Sequence, residues 1–206
     1  MNKKPIIFCT GLSRAGKGIF CDIIKEKYAP DSIKLSFAAP LREELKDFVK
    51  DKFNIDIYTQ DTKLKELIRP LMVSTSHVFR QKTKGMHFIN LLEKKMEEIG
   101  YQQVITIDDA RFSEFGYDEV NFCRSKGYLI HICKYFEKQG FIRKYKVFQS
   151  APNPTEAEND PKMESAAHYK IVWEDFSHLN LTKSQLIEKL YPFCKKVLDK
   201  IFNNVG

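Results

Sequence analysis

The sequence predicts a three-layer α/β/α fold, with helices on both faces of a mostly parallel sheet. Short apolar runs alternate with longer segments that repeat apolar residues at helical spacing along most of the 206 residues. A glycine-rich turn, Gly11–Gly18, joins the first apolar run to the first helical segment. Strands that alternate with helices pair in parallel, because each crossover helix returns the chain to the same edge of the sheet. The length suits one domain spanning residues 1–206.

Five short apolar runs are predicted to form buried strands, since each is bounded by polar or turn-forming residues. They lie at 6–9, 32–37, 103–107, 128–133 and 169–173. Six helices are predicted from apolar spacing. They lie at 17–28, from Pro40 onward, and at 63–81, 87–99, 115–125 and 183–202. Pro70 is expected to bend or divide the third helix.

The segment 134–167 differs from the rest of the chain. It contains Gly140, Pro152, Pro154 and Pro161, charges of both signs and little periodicity. Loops of this length inside a compact domain are commonly functional, and lids that close over a bound substrate are one such use. We therefore expect a mobile, lid-like insertion at this place.

Composition and charge limit the class of partner. The formal net charge of +7 favours attraction of anions, either nucleotides or nucleic acid. Lysines are spread along the whole chain without an arginine-rich stripe, so no stable nucleic-acid partner is expected. The five cysteines lack CxxC spacing, which argues against zinc and disulfide frameworks. The apolar stretch at 5–9 is too short for a signal or a membrane span, so we expect a cytoplasmic protein without membrane contact.

The segment Gly11–Gly18 satisfies the phosphate-binding pattern G-x-x-x-x-G-K. Glycines let such a loop wrap closely around phosphates, and the following helix presents its positive end to the same anion. Lys17 is predicted to reach the β- and γ-phosphates of ATP. The predicted ATP-binding residues of the loop are Gly11, Ser13, Arg14, Ala15, Gly16, Lys17 and Gly18.

One position departs from the usual loop. A serine or threonine that ligates Mg²⁺ normally follows the lysine, and here the residue is Gly18. Glycine has no hydroxyl, so a metal would rely on phosphates, water and an acidic side chain elsewhere. Asp108 and Asp109 follow a predicted strand, at the edge of the sheet where ligands bind. They are the candidates for a water-mediated metal shell, and the spacing does not choose between them.

Phosphoryl transfer requires several cations to converge on the phosphates. The candidate catalytic residues are Lys17, Arg14, Asp109 and Arg111. Arg42 stands close to the end of the second predicted strand. Arg69 and Arg80 are eleven positions apart, about three helical turns, so they share a face of their helix. Arg143 in the predicted lid is a further candidate for binding ATP.

Four segments resemble the deoxynucleoside monophosphate kinase family, in particular its phage-type members. They are Gly11–Gly18, Leu35–Arg42, Ile68–Val73 with its continuation to Phe88, and Ile105–Phe112. The combination is more specific than the loop, which is shared by the whole P-loop superfamily. The resemblance implies an enzyme that uses ATP and Mg²⁺ to phosphorylate a (deoxy)nucleoside monophosphate.

The same resemblance implies roles for particular residues. The helical region of about 38–100 would bind the acceptor, and Asp109 would lie near the metal. The implied acceptor-binding residues are Ser36, Arg42, Arg69, Arg80, Arg111 and Glu119. The resemblance also implies a possible homodimer and, for a viral chain, location in the host cytoplasm.

Three alternatives stay open. Animal-type phosphomevalonate kinase resembles the same architecture and also acts on a small phosphomonoester, so the arginine arguments would hold for it. Gly18 keeps open a protein that binds ATP without turnover. The net charge of +7 keeps open nucleic-acid binding.

Overall fold

A computed structural model describes residues 4–141 and 143–203. Residues 1–3, 142 and 204–206 of the predicted domain lie outside this part, and residue 142 falls within the predicted lid. The elements in chain order are β1 (Ile6–Thr10), α1 (Lys17–Lys27), β2 (Ile33–Leu35), α2 (Ala39–Phe53), α3 (Thr62–Thr83), α4 (Met86–Ile99), β3 (Ile105–Ile107), α5 (Glu119–Lys126), β4 (Tyr128–Gln139), β5 (Lys144–Phe148), α6 (Pro154–Ala166), β6 (Tyr169–Glu174) and α7 (Lys183–Asn203).

Five of the described strands form a parallel sheet in the order β2-β3-β1-β4-β6, and β5 adds an antiparallel strand. Tyr135 on β4 pairs with Phe148 of β5 and with Glu174 of β6. These two strands therefore flank opposite edges of β4. β6 pairs with the edge of β4 that faces away from β1. β5 therefore pairs with the other edge of β4, beyond the residues of β4 that pair with β1. The predicted α/β fold class with a mostly parallel sheet is confirmed.

Two apolar cores enclose the sheet. On one face α1 and α7 contribute Phe20, Ile24, Leu190 and Leu198 to the first core. On the other face α2, α4, α5 and α6 contribute Leu41, Leu92, Phe122 and Met163 to the second. All five side chains of β1 are buried, as expected for a central strand covered on both faces. The first β–α turn is therefore held by a rigid strand.

Three helices, α2 to α4, occupy the region from Ala39 to Ile99. The carboxylate of Asp61 accepts the backbone amides of Lys63 and Leu64 and so caps the start of α3. Pro70 lies inside α3, which continues through it and is not divided. The predicted helical region is present, and its role in acceptor binding stays a prediction.

The segment predicted to be irregular contains regular structure. β4 extends to Gln139, β5 pairs with it, and α6 packs on the sheet with Met163 fully buried. Asn153 caps α6 by accepting the Glu156 amide, and Pro154 fits the first turn, where no amide partner is needed. No helix was predicted here, because the segment contains Pro161 and is too polar to show apolar residues at helical spacing. Closure of the segment as a lid stays a prediction.

The helix predicted at 115–125 begins later in the structure, at Glu119. The cause is Asp118, whose carboxylate accepts the amides of Glu114, Phe115 and Glu119 and so forms a capped turn before α5. Among the described helices, none is both long enough and apolar enough to cross a bilayer.

Candidate active site

The glycine-rich loop after β1 has the geometry that its glycines predict. Gly11 and Gly16 have φ angles of 124° and 101°, in the region that favours glycine. A Cβ on Gly11 would collide with the carbonyl oxygen of Ile132, and one on Gly16 would lie 2.5 Å from the Trp173 ring. The indole of Trp173 also donates to the carbonyl of Ala15 at 2.8 Å. The loop is thus clamped against β4 and β6.

Lys17 lies inside this loop. Its Nζ donates to the carbonyl oxygens of Gly11 and Leu12, both at 2.7 Å, and the residue is only 7% exposed. Burial, together with the positive charge of Arg111, lowers the pKa of Lys17 to about 8. Above pH 8, where this lysine would be largely neutral, a bound anion would favour its charged form. Lys17 thus lies in the loop where phosphate is predicted to bind, and its role in binding stays a prediction.

A carboxylate from α6 occupies two anion-binding groups of the site. The Ser13 amide donates to Oε2 of Glu156 at 2.6 Å, and Arg111 Nη1 donates to Oε1 at 3.2 Å. The Gln149 side chain adds a hydrogen bond to the Ser13 carbonyl at 2.5 Å. Glu156 thus takes a position where phosphate oxygens are expected to bind. Glu156 was not predicted as a site residue, because no helix was predicted in its segment.

The two aspartates after β3 differ in their surroundings. Asp109 accepts the Ser36 hydroxyl at 2.6 Å and the amides of Phe37 and Ala38 at 2.9 and 3.0 Å. Its carboxylate therefore fixes the turn that leads into α2. Asp108 instead pairs with Lys34 Nζ at 2.5 Å, beside Gly18.

These contacts do not fit a metal held by the protein beside the loop. Gly18 offers no oxygen ligand from its side chain, and both oxygens of Asp109 already accept hydrogen bonds. Asp108 is next to the loop, yet its partner there is the ammonium of Lys34. The predicted water-mediated metal shell of Asp108 and Asp109 stays a prediction, and the cation beside Asp108 in this structure is the ammonium of Lys34.

Arg80 is enclosed rather than free. It is 1% exposed, and its guanidinium pairs with Glu114, Asp118 and Glu119 at 3.1 to 3.2 Å. It also stacks on Phe112, at 3.7 Å from the ring centroid. In this cage both terminal nitrogens of the guanidinium are paired with carboxylates, whereas its buried Nε has no hydrogen-bond partner among the described residues, so the ion pairs assign Arg80 to local structure.

Glu119 links this cage to Arg111. One oxygen accepts from Arg80, and the other accepts the amides of Arg111 and Phe112 at 2.8 and 3.1 Å. Burial raises the pKa of Glu119 to about 8, against the opposing effects of Arg80 and the Arg111 amide. Glu119 therefore positions the backbone of the strand-end loop that carries Arg111.

The other predicted arginines occupy different surroundings. Arg14 and Arg69 are exposed and both approach Glu66, at 3.9 and 2.8 Å. Arg42 is half-buried at the start of α2. Arg143 lies exposed at the start of β5 and is not among the residues that line the two cavities described next, although it was predicted to bind ATP.

Two adjoining cavities lie at the carboxyl edge of the sheet. The loop cleft has a volume of about 1140 Å³ and its charged lining includes Arg14, Lys17, Lys34, Arg42, Asp108 and Arg111. The helical cavity has a volume of about 710 Å³ and its lining includes Ser13, Arg42, Tyr58, Arg69, Arg80 and Arg111. Arg42, Tyr58 and Arg111 line both, so one wall is common to the two cavities. The structure thus brings the predicted loop and acceptor residues to one continuous site.

The strand, the clamped glycine-rich loop, its lysine and the parallel strand order define the chain as an α/β protein of the P-loop nucleotide-binding architecture. No protein-family model and no curated protein matches the sequence.

Several solved structures are similar over nearly the whole chain. TT1252 from Thermus thermophilus is 12% identical with a TM-score of 0.47, and the match covers 96% of this chain and 98% of that one. Dephospho-CoA kinase from Campylobacter jejuni is 13% identical with a TM-score of 0.37, over 96% and 97% of the two chains. A chain of the PezAT toxin–antitoxin system of Streptococcus pneumoniae is 13% identical with a TM-score of 0.39, over 100% and 88%. Similarities this distant carry no argument about activity.

Proposed function

We propose that this protein is a phosphotransferase that moves the γ-phosphoryl group of ATP to a (deoxy)nucleoside monophosphate. The observation that carries the proposal is the pair of cavities with a shared wall. The loop cleft contains Lys17 and the helical cavity contains Arg69, while Arg42 and Arg111 line both. A transfer between two phosphate compounds needs this arrangement, with cations where the two phosphates meet.

The chemistry follows from the position of these groups. Lys17 and the loop amides would hold the β- and γ-phosphates once Glu156 has moved from the Ser13 amide. Arg42 and Arg111 would hold the acceptor phosphate. An oxygen of that phosphate attacks the γ-phosphorus, the bond to the β–γ bridging oxygen breaks, and ADP leaves. Alignment and charge neutralisation supply most of the acceleration in such transfers.

Arg80 and Glu119 would act through Arg111 rather than on substrate. Glu119 holds the backbone amide of Arg111, and Arg80, although it lines the helical cavity, is paired there with three carboxylates. Asp109 would have a similar positioning role for the turn that carries Ser36 into α2. Of the predicted acceptor residues, Arg42, Arg69 and Arg111 thus remain the candidates for direct phosphate contact.

A second phosphomonoester remains a candidate acceptor. Much of the helical cavity is aliphatic, with Ile57, Ile68, Met72 and Val73 in its lining. Such walls also suit a branched aliphatic phosphate such as mevalonate 5-phosphate. The two acceptors would use the same arginines, so only a substrate screen separates them.

The decisive experiment is ADP release from ATP·Mg²⁺, measured with a coupled assay against all ribo- and deoxynucleoside monophosphates and mevalonate 5-phosphate. We expect turnover with at least one nucleoside monophosphate and none with Lys17→Met. Turnover with mevalonate 5-phosphate alone would replace the proposed acceptor. ATP binding without turnover on the whole panel would reject the kinase in favour of a nucleotide-binding protein.

A further inference from the structure

Gly18, the residue after Lys17, has no side chain, and the side chain of Lys34 reaches the space beside it. A Cβ on Gly18 would lie 3.5 Å from Lys34 Nζ and 3.5 Å from an oxygen of Asp108. In most loops of this pattern a hydroxyl stands here and ligates Mg²⁺. In this protein the nearest cation is the ammonium of Lys34, held by Asp108 at 2.5 Å.

Lys34 belongs to the phosphate-binding cleft by position. It lies in the middle of the short edge strand β2, pairs with Thr106 of β3, and lines the loop cleft with Lys17 and Arg111. Its side chain is 48% exposed, so its ammonium can contact a bound phosphate while Asp108 holds it beside the loop. Burial lowers the pKa of Lys34, but the hydrogen bond to Asp108 and the neighbouring negative charges together outweigh burial and raise the pKa, which keeps the ammonium charged.

We propose that Lys34 supplies a fixed positive charge to the nucleotide phosphates in place of a metal anchored by the protein. Asp108 is the positioning residue that holds the ammonium next to the loop. Nucleotide binding at this loop should then depend only weakly on Mg²⁺, in contrast to loops that carry the serine or threonine. The inference rests on the proposed nucleotide site but not on turnover.

The test compares the dissociation constant of ATP by calorimetry in excess Mg²⁺ and in EDTA. For the wild-type protein we expect the two constants to agree within about threefold. In Lys34→Met the constant in EDTA should rise by about tenfold or more, the equivalent of about 1.4 kcal/mol. Lys95→Met is the matched control, because Lys95 lines the same cleft and pairs with nearby Glu98 on the surface.

A second test restores a hydroxyl at position 18. At Gly18 a Cβ would make only ordinary contacts and the backbone needs no left-handed φ, so Gly18→Ser is sterically allowed. The double variant Gly18→Ser with Lys34→Met should bind ATP at least about tenfold more tightly with Mg²⁺ than without it.

The outcomes are distinguishable. A wild-type ratio above about tenfold, or a Lys34→Met ratio equal to that of Lys95→Met, would overturn the role of Lys34 while leaving the nucleotide site intact. Failure of the folded wild type to bind ATP in either condition would reject the proposed function and this inference with it.

Discussion

At the scale of single residues, Lys17 shows how burial prepares a charge for its ligand. Its pKa is lowered to about 8, so above that pH the empty loop contains a neutral lysine. A phosphate would stabilise the charged form and raise the pKa again. ATP binding above pH 8 must therefore take up a proton.

The first prediction concerns this proton. The dissociation constant of ATP should be nearly constant between pH 7 and 8 and then rise, approaching about tenfold per pH unit above the pKa of about 8. Calorimetric or fluorescence titrations from pH 7 to 9.5 would measure it. Lys17→Arg is the control, because arginine stays charged throughout and its profile should be flat. A flat wild-type profile would mean that Lys17 is already charged in the empty loop.

The second prediction assigns Arg80 to structure. Arg80→Met should lower the free energy of unfolding by about 3–5 kcal/mol, because it leaves the buried Asp118 and Glu119, and the more exposed Glu114, without their cation. Urea unfolding would measure the change. The exposed Arg69, which pairs with Glu66 on the same helix, is the comparison, and Arg69→Met should cost less than about 1 kcal/mol. Equal stability of the two variants would contradict the cage.

Sequence patterns located the residues whose role depends on local spacing. The loop glycines and Lys17 follow from one contiguous motif, and Ser36 and Asp109, predicted separately, meet through a hydrogen bond. Lys34 and Glu156 could not be found this way. Their contacts join strands and helices distant in the chain, and a lysine within an apolar run at the sheet edge was the only available signal for Lys34.

At the scale of elements, the first turn of α6 contacts the phosphate-binding loop through Glu156. Glu156 holds the Ser13 amide and Arg111, two groups that a phosphate would also use. A ligand that competes with an internal group binds more weakly, because its apparent dissociation constant is the intrinsic constant divided by the fraction of time that the site is free. The contacts of Glu156 in this structure would therefore oppose nucleotide binding.

The third prediction is that Glu156→Gln has opposite effects on stability and affinity. Loss of the charged hydrogen bonds should lower the free energy of unfolding by about 1–2 kcal/mol, while ATP should bind about three- to tenfold more tightly. Urea unfolding and ATP titration on the same preparation would measure both. Glu158→Gln is the control, since Glu158 is exposed on the same helix and pairs with Lys162. Weaker ATP binding in Glu156→Gln would instead make Glu156 part of the nucleotide site.

The middle of α6 is attached to the sheet by a buried ion pair. His131 on β4 is fully buried, with Nε2 at 3.0 Å from Asp160. Burial lowers the pKa of His131, but Asp160 and Cys133 outweigh burial and raise it to about 9. The folded protein therefore binds this proton more tightly than the unfolded chain. The stabilisation is complete below the ordinary pKa of 6.5 and is lost as pH rises towards 9.

The fourth prediction follows from that sign. The free energy of unfolding should fall between pH 6.5 and 9 by on the order of 1–3 kcal/mol, and Asp160→Asn should remove this part of the slope. Glu119, with its pKa raised to about 8, contributes a slope of the same sign, so the difference between wild type and variant is the measured quantity. The exposed His178 provides the control variant, His178→Gln. Identical slopes in wild type and Asp160→Asn would exclude the ion pair as the cause.

At the scale of the whole molecule, the parallel architecture was predictable because alternation of strands and helices leaves few topologies. The additional hairpin strand β5 and the helix α6 were not, because β5 is only five residues long, α6 consists largely of polar residues, and both depend on tertiary contacts with β4 and the loop. The difference between the enclosed Arg80 and the more exposed arginines also arises only in the folded chain, where three carboxylates surround Arg80.

The shared wall of the two cavities gives a fifth prediction, which concerns the molecule as one binding surface. A dinucleoside pentaphosphate can occupy the loop cleft and the helical cavity together, and linking the two halves makes the second binding event intramolecular. It should therefore raise the melting temperature more than ATP and a nucleoside monophosphate added together at the same concentration. Arg111 lines both cavities, so Arg111→Ala should abolish most of this difference, whereas Arg69→Ala, which alters the helical cavity alone, should reduce it only in part. Equal shifts from the linked and unlinked ligands in wild type would show that the two cavities do not act as one site.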